Sequence, residues 1–303
     1  MWLGLLALFI ASFFGGAITP ILVKLGVKEI PPLTFSAMRF FLATIFFTPF
    51  FFTQKIDNLN RRNIFTLFLA SIPFTLNIAF FSVGIQFTTA VMSQIFYASG
   101  SLIVAILAYL FFKDQLNRYK IAGLILALFG VVFLIERSAA TQQTLTFGTP
   151  LGNILILCAV FSYASYLVIS QKMTKMYTPQ TTSFFSFVTS AIILAIVSPI
   201  ELLIRPVTFE SVTMIGIYSL LGVALFSSAL YFFLVQFGIK RTDAFTASLF
   251  HYTAPFFAAI AAAPILGEKS TVSLAFGGFL IILGVFLATT YEQVRKYLKS
   301  VLQ

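Results

Sequence analysis

Charge is scarce in this chain: Asp, Glu, Lys and Arg make up 9% of its 303 residues, against about 25% in soluble globular domains. A folded body of this size could not cover a water-facing surface with so little charge. A cytosolic enzyme, a secreted scaffold and a disordered tail are excluded at this step. One cysteine, Cys158, rules out an internal disulfide. With that cysteine, a single histidine and no carboxylate inside an apolar run, the residues for an intramembrane Ser-His pair, Asp pair or metal cluster are missing. No enzyme, resident metal or cofactor is expected. No basic n-region or small-residue cleavage site follows Met1, so no cleavable signal is expected either.

What is abundant is apolar. Hydrophobic residues reach 59% and the mean hydropathy is +1.01, which makes the solvent of most of this surface lipid. The net charge of +10 sits in short basic clusters between apolar runs, where membrane topology explains it without a nucleic-acid partner. A bilayer core of about 30 Å takes roughly 20 apolar residues in a helix. Runs of that kind occur near 2–23, 33–52, 64–83, 90–112, 118–135, 151–170, 181–200, 212–235, 244–265 and 271–290. The pattern predicts an all-α integral membrane protein with ten transmembrane helices; a membrane barrel would alternate in ten-residue segments instead. Turn residues such as Pro31-Pro32, Asp57 to Asn60 and Thr178-Pro179 separate the runs. An even number of spans leaves both termini on one side. That side holds 13 basic residues and the other 5, with Arg39 inside span two, so the termini are predicted to face the cytoplasm across the cytoplasmic (inner) membrane. The tail Arg295-Lys296-Tyr297-Leu298-Lys299 suits contact with anionic headgroups.

Shifting the chain by 154 residues aligns its two halves: Gly84 with Gly238, Thr88 with Thr242, Ala90 with Ala244, Phe96 with Phe250 and Asp114 with Glu268. Gly123-x6-Gly130-Val131 falls on Gly277-x6-Gly284-Val285 in the same register. Slightly shorter shifts pair Gly4 with Gly152, Lys24 with Lys172 and Pro32 with Pro179. The polar stretch at 138–150 divides two units, 1–137 and 151–303. Five helices per unit is odd, so the second copy enters from the opposite face, giving two inverted five-helix repeats. Such a duplication suits a path opened alternately to either side.

Ile30 to Leu33 with Arg39-Phe40, the Gly84–Ala90 turn and its echo at Gly238–Ala244, and the acidic turns at Asp114 and Glu268 followed by Gly-x6-Gly-Val carry a resemblance. In order and duplication the chain resembles an EamA-type, ten-helix member of the drug/metabolite transporter superfamily. It departs from that pattern at Phe14-Gly15, where Trp-Gly is common, and at Tyr163, where a tryptophan is common. The resemblance implies a central cavity lined by helices one, three, four, six, eight and nine, and export of amino acids or their derivatives.

Polar side chains deep in apolar spans need a reason. Those near mid-span are Asn77, Gln94, Tyr97, Tyr163, Tyr166, Ser227, Ser228, Tyr231, Ser248, His251 and Tyr252; all fall on the helices just named. They are the candidate substrate-binding residues, with interhelical hydrogen bonding as the alternative for each. His251 aligns with Tyr97 and is either a protonatable group in the path or a neutral hydrogen-bonding one. Arg39, about two turns into span two, either snorkels to headgroups, bonds a neighbouring helix or offers a guanidinium to a substrate carboxylate. Pro20 and Pro255 interrupt helical hydrogen bonding and are the candidate gating positions. The expected partners are a small-molecule metabolite and the lipid bilayer, with no oligomer required. The expected function is movement of small polar metabolites, most simply amino acids or derivatives, by alternating access. Uptake or exchange of another metabolite such as S-adenosylmethionine, whose cation aromatic rings could hold, and broad efflux stand as alternatives.

Overall fold

The computed structural model describes residues 1–54, 59–88, 90–113, 118–141, 149–207, 212–254, 257 and 272–289. Every described element is helical, as a bilayer demands when a backbone must satisfy its own hydrogen bonds. The helices are α1 (Trp2–Glu29), α2 (Pro32–Phe52), α3 (Arg61–Gly84), α4 (Ala90–Phe112), α5 (Arg118–Thr141), α6 (Pro150–Met176), α7 (Pro179–Ile204) and α8 (Met214–Arg241). After them come α9 (Ala244–Leu249, tightening to a 3₁₀ turn over Phe250–Thr253) and α10 (Val272–Thr289). Six of these, α1, α2, α3, α6, α7 and α8, are long and apolar enough to cross a membrane. The Asp114 and Glu268 turns lie outside the described residues. Of the polar stretch at 138–150, the first residues continue α5 through Thr141.

Helix starts follow local chemistry. Proline opens α2, α6 and α7, where its missing N–H is no loss. Side chains of Asn60, Thr149, Thr178, Thr213 and Asp243 accept from the free backbone N–H groups of α3, α6, α7, α8 and α9. Two helices are interrupted by wide π-helical turns, α1 at Phe14–Ile18 and α8 at Val223–Leu230. In α1 the turn immediately precedes Pro20, which can donate no backbone hydrogen bond.

Packing is organised by close backbone approaches. Tight pairs are α5 with α10, α2 with α7, α3 with α6 and α1 with α8. A Cβ on Gly123 would stand 2.4 Å from the Gly284 carbonyl oxygen, and one on Gly130 would stand 3.0 Å from that of Gly277. The glycines of the duplicated motif therefore form one antiparallel crossing. Gly4 meets the Gly238 carbonyl and Gly84 meets that of Gly152 in the same manner. The α2–α7 pair is fastened at both ends. The Glu201 carboxylate, near the end of α7, accepts from Leu33 N–H (3.0 Å), Thr34 N–H (2.8 Å) and Thr34 Oγ1 (3.0 Å) at the start of α2. At the other end Gln54, just past α2, donates to Thr181 Oγ1 (3.0 Å) and accepts from Thr178 Oγ1 at the start of α7. Phe40, Phe74, Phe187 and Phe232 pack together in the core, while residues such as Phe111 and Leu203 are exposed.

Candidate functional site

The long helices surround a partly open cavity of about 80 Å³. It is lined by α1 (Gly15, Thr19), α2 (Arg39), α3 (Asn77, Ile78, Phe81), α4 (Tyr97), α6 (Tyr163), α8 (Ser227, Tyr231, Phe232) and α9 (His251, Ala254). Two features of the backbone make this hollow. At Gly15 a Cβ would fall 2.8 Å from the Tyr231 ring, and at Gly16 one would fall 2.4 Å from the Ala254 backbone. The absent side chains thus let α1 close against α8 and α9. Both wide turns adjoin the cavity, and their Phe14 and Phe226 rings stack at 5.9 Å.

Arg39 is the charged group of the wall, and only 2% of it is exposed. It does not snorkel. Its Nε donates to Ser228 Oγ at 2.5 Å and its Nη2 to the Ser227 carbonyl at 3.0 Å, while the guanidinium carbon lies 4.9 Å from the Phe40 ring centre. The wide turn in α8 explains the acceptors: Ser228 Oγ bonds five residues back to the Val223 carbonyl (3.0 Å), and the loosened ladder leaves the Ser227 carbonyl for the arginine. No acidic side chain lines the cavity among the described residues.

Six residues expected from the sequence meet at this hollow: Asn77, Tyr97, Tyr163, Ser227, Tyr231 and His251. Asn77 Nδ2 donates to Tyr97 Oη (2.6 Å) and to the Ala159 carbonyl (2.9 Å), joining α3, α4 and α6. The Tyr163 and Tyr231 hydroxyls lie 3.2 Å apart. The His251 ring stands edge-on to Tyr163 at 5.1 Å, and its nitrogens find no hydrogen-bond partner among the described residues. The others serve helix packing instead of the lining. Tyr166 Oη accepts from Gln236 Nε2 (2.6 Å) and bonds Ser186 Oγ (2.9 Å). Ser228 holds Arg39, Ser248 Oγ donates to the Phe245 carbonyl at 2.7 Å, and Tyr252 Oη accepts from Ser101 Oγ at 2.5 Å. The Gln94 and Pro20 side chains and Pro255 lie outside the described residues. Gly15, Thr19 and Phe81 were not read from the sequence as lining, the Gly15-Gly16 doublet being the available signal for the first, whereas of the readings open for Arg39 the structure shows the bond to a neighbouring helix.

The EamA-like transporter family matches the chain over residues 2–136 and again over 150–290. The chain belongs to this family. This EamA protein is 30% identical to the uncharacterized transporter YyaM of Bacillus subtilis, over 94% of this chain and 93% of that one. It is 28% identical to an uncharacterized transporter of Archaeoglobus fulgidus, over 90% and 92% of the two chains. A probable amino-acid metabolite efflux pump of Salmonella typhimurium is 26% identical over 97% of this chain and 96% of its own. A solved crystal structure with 16% sequence identity superposes with a TM-score of 0.75, covering 94% of this chain and 96% of that one, which bears on fold alone. The protein is a multi-pass membrane transporter, not an enzyme.

Proposed function

We propose that this transporter carries small polar metabolites, amino acids or their derivatives, out across the cytoplasmic membrane by alternating access between two inverted five-helix repeats, 1–137 and 151–303, making ten spans in all. The observation that carries the reading is the cavity, whose lining residues pair across the duplication. Tyr97 and His251 stand 154 residues apart, as do Asn77 and Tyr231, while Gly15 and Tyr163 stand 148 apart. Three pairs of contacts also correspond when the halves are exchanged. The Gly123–Gly284 contact answers Gly130–Gly277, and Gly4–Gly238 answers Gly152–Gly84. Gln54 and Thr181 lie 147 residues before Glu201 and after Thr34 respectively, so the two α2–α7 caps answer each other as well. An in-plane axis that relates two halves with a site between them is an arrangement that many alternating-access transporters use.

Supporting the division of the loops between two faces, residues assigned to one face lie together; the cytoplasmic placement of the termini rests on the excess of basic residues on their side. Arg205 bonds the Lys28 carbonyl (3.1 Å), and Lys240 bonds the Tyr177 carbonyl (3.1 Å) beyond Lys175. The buried guanidinium, with no carboxylate lining the cavity among the described residues, disfavours a cation such as S-adenosylmethionine and cationic drugs. The test is counterflow in proteoliposomes preloaded with each common amino acid, with and without a pH gradient. Saturable exchange of at least one supports the reading; no flux of any of them refutes the substrate class.

A further inference from the structure

We propose that Arg39, with the Ser227 hydroxyl, is the carboxylate anchor of the cavity, so that the substrate is a small molecule bearing a carboxylate, anionic or zwitterionic. The proposal rests on the transport reading for its purpose, though not for its chemistry. A guanidinium has five N–H donors. Only Nε and one Nη2 bond are engaged, by Ser228 and the Ser227 carbonyl. The Nη1 donors have no protein acceptor among the described residues, and Arg39 lines the hollow. A buried charge left this way needs an anion, and a guanidinium presents the planar fork that fits a carboxylate. The second observation is Ser227 itself. Its Oγ is one of three buried hydroxyl oxygens, with those of Ser183 and Thr189, that find no hydrogen-bond partner among the described residues, and of the three only Ser227 lines this cavity. Such unsatisfied groups are rare in folded proteins, and a missing ligand accounts for this one.

Fold maintenance does not account for the charge. In the register that brings Thr34 onto Thr181 and Gln54 onto Glu201, the counterpart of Arg39 is Ser186, a neutral side chain that bonds Tyr166. The same place in the other half of the molecule is thus filled without a cation. The aromatic wall of Tyr97, Tyr163 and His251 is left for the remainder of the solute.

The experiment compares heat stabilisation of the purified protein by each common amino acid and by its carboxamide, which keeps shape and removes the negative charge. At least one acid should stabilise the wild type where its amide does not. That acid should bind at least tenfold more weakly to Arg39→Gln, and several-fold more weakly to Ser227→Ala. Arg39→Lys, which keeps the charge but loses the fork, should fall between wild type and Arg39→Gln, and with Ser227→Ala it decides the matter should Arg39→Gln fail to fold. Equal effects of acid and amide on the wild type overturn the proposal. So does an acid effect undiminished in the variants, or a lowered ligand-free melting temperature as their sole consequence. Failure of the transport reading is distinguishable: acids would bind and discriminate, yet no counterflow would follow.

Discussion

Asn77 has its amide committed twice, to the Tyr97 hydroxyl and to the Ala159 carbonyl, and is 4% exposed. Asn77→Leu keeps the branched shape and removes both donors, leaving a buried carbonyl and a part-buried hydroxyl short of a partner. Between helices in lipid such bonds are worth about 0.6 to 2 kcal/mol each. The expected result is a lower melting temperature in detergent, together with a larger fall in counterflow, because Tyr97 loses its fixed orientation at the cavity. Asn77→Asp, in contrast, would add a carboxylate to the cavity wall that Arg39 also lines and should abolish stabilisation by acids. Asn77, Tyr97, Tyr163, Tyr231 and His251 were legible in the sequence because a polar atom in the middle of an apolar run is expensive and must have a use. Which way a side chain points was less legible. Ser227 and Ser228 are neighbours, yet one lines the hollow and the other holds Arg39. A π-helical turn shifts the helical phase there, and nothing in residue types announces it.

At the level of helices, hydropathy located the six helices long enough to cross a membrane but read some of them short. The first was expected to end near 23 and runs to Glu29; the sixth was expected to end near 170 and runs to Met176. Hydropathy detects residues suited to lipid, whereas a helix continues into the headgroup region wherever its caps and packing allow. The paired Gly-x6-Gly motifs were legible as a repeat, but their meeting in one crossing emerges only in three dimensions. A side chain at Gly123 would strike the backbone of α10, where nothing flexible can give way. Gly123→Val is therefore expected to destabilise by about 1–3 kcal/mol or more, as overpacking does, seen as lost yield and a lower melting temperature. Glu201→Gln keeps an acceptor but weakens the cap on the α2 N-terminus, and should lose only about 0.3–1 kcal/mol. A Glu201→Gln variant as unstable as Gly123→Val would show that the α2–α7 fastening, not the glycine crossing, dominates stability.

For the molecule as a whole, the distribution of rigid and pliable contacts indicates what moves. The α5–α10 crossing has glycine-tight backbones that leave no room to shift, and α2 and α7 cap each other at both ends, so that pair cannot slide without breaking several hydrogen bonds at once. The helices with interrupted ladders, α1 and α8, are those whose wide turns face the cavity and each other. Conformational change should concentrate there, since a π-helical turn can relax to regular helix by shifting hydrogen bonds instead of losing them. Thr19 is a suitable reporter: it lines the cavity on α1, its hydroxyl bonds the Phe14 carbonyl at 2.9 Å across the wide turn, and it touches neither Arg39 nor Ser227 in any hydrogen bond. With Cys158→Ser removing the native thiol, Thr19→Cys should react with a membrane-impermeant maleimide from one face in the absence of ligand. A stabilising acid should then change that rate several-fold, and it should leave the rate unchanged when Arg39→Gln is added. A single rate, indifferent to every acid that binds, would mean that the turns are fixed and that the two halves do not exchange conformations around the site.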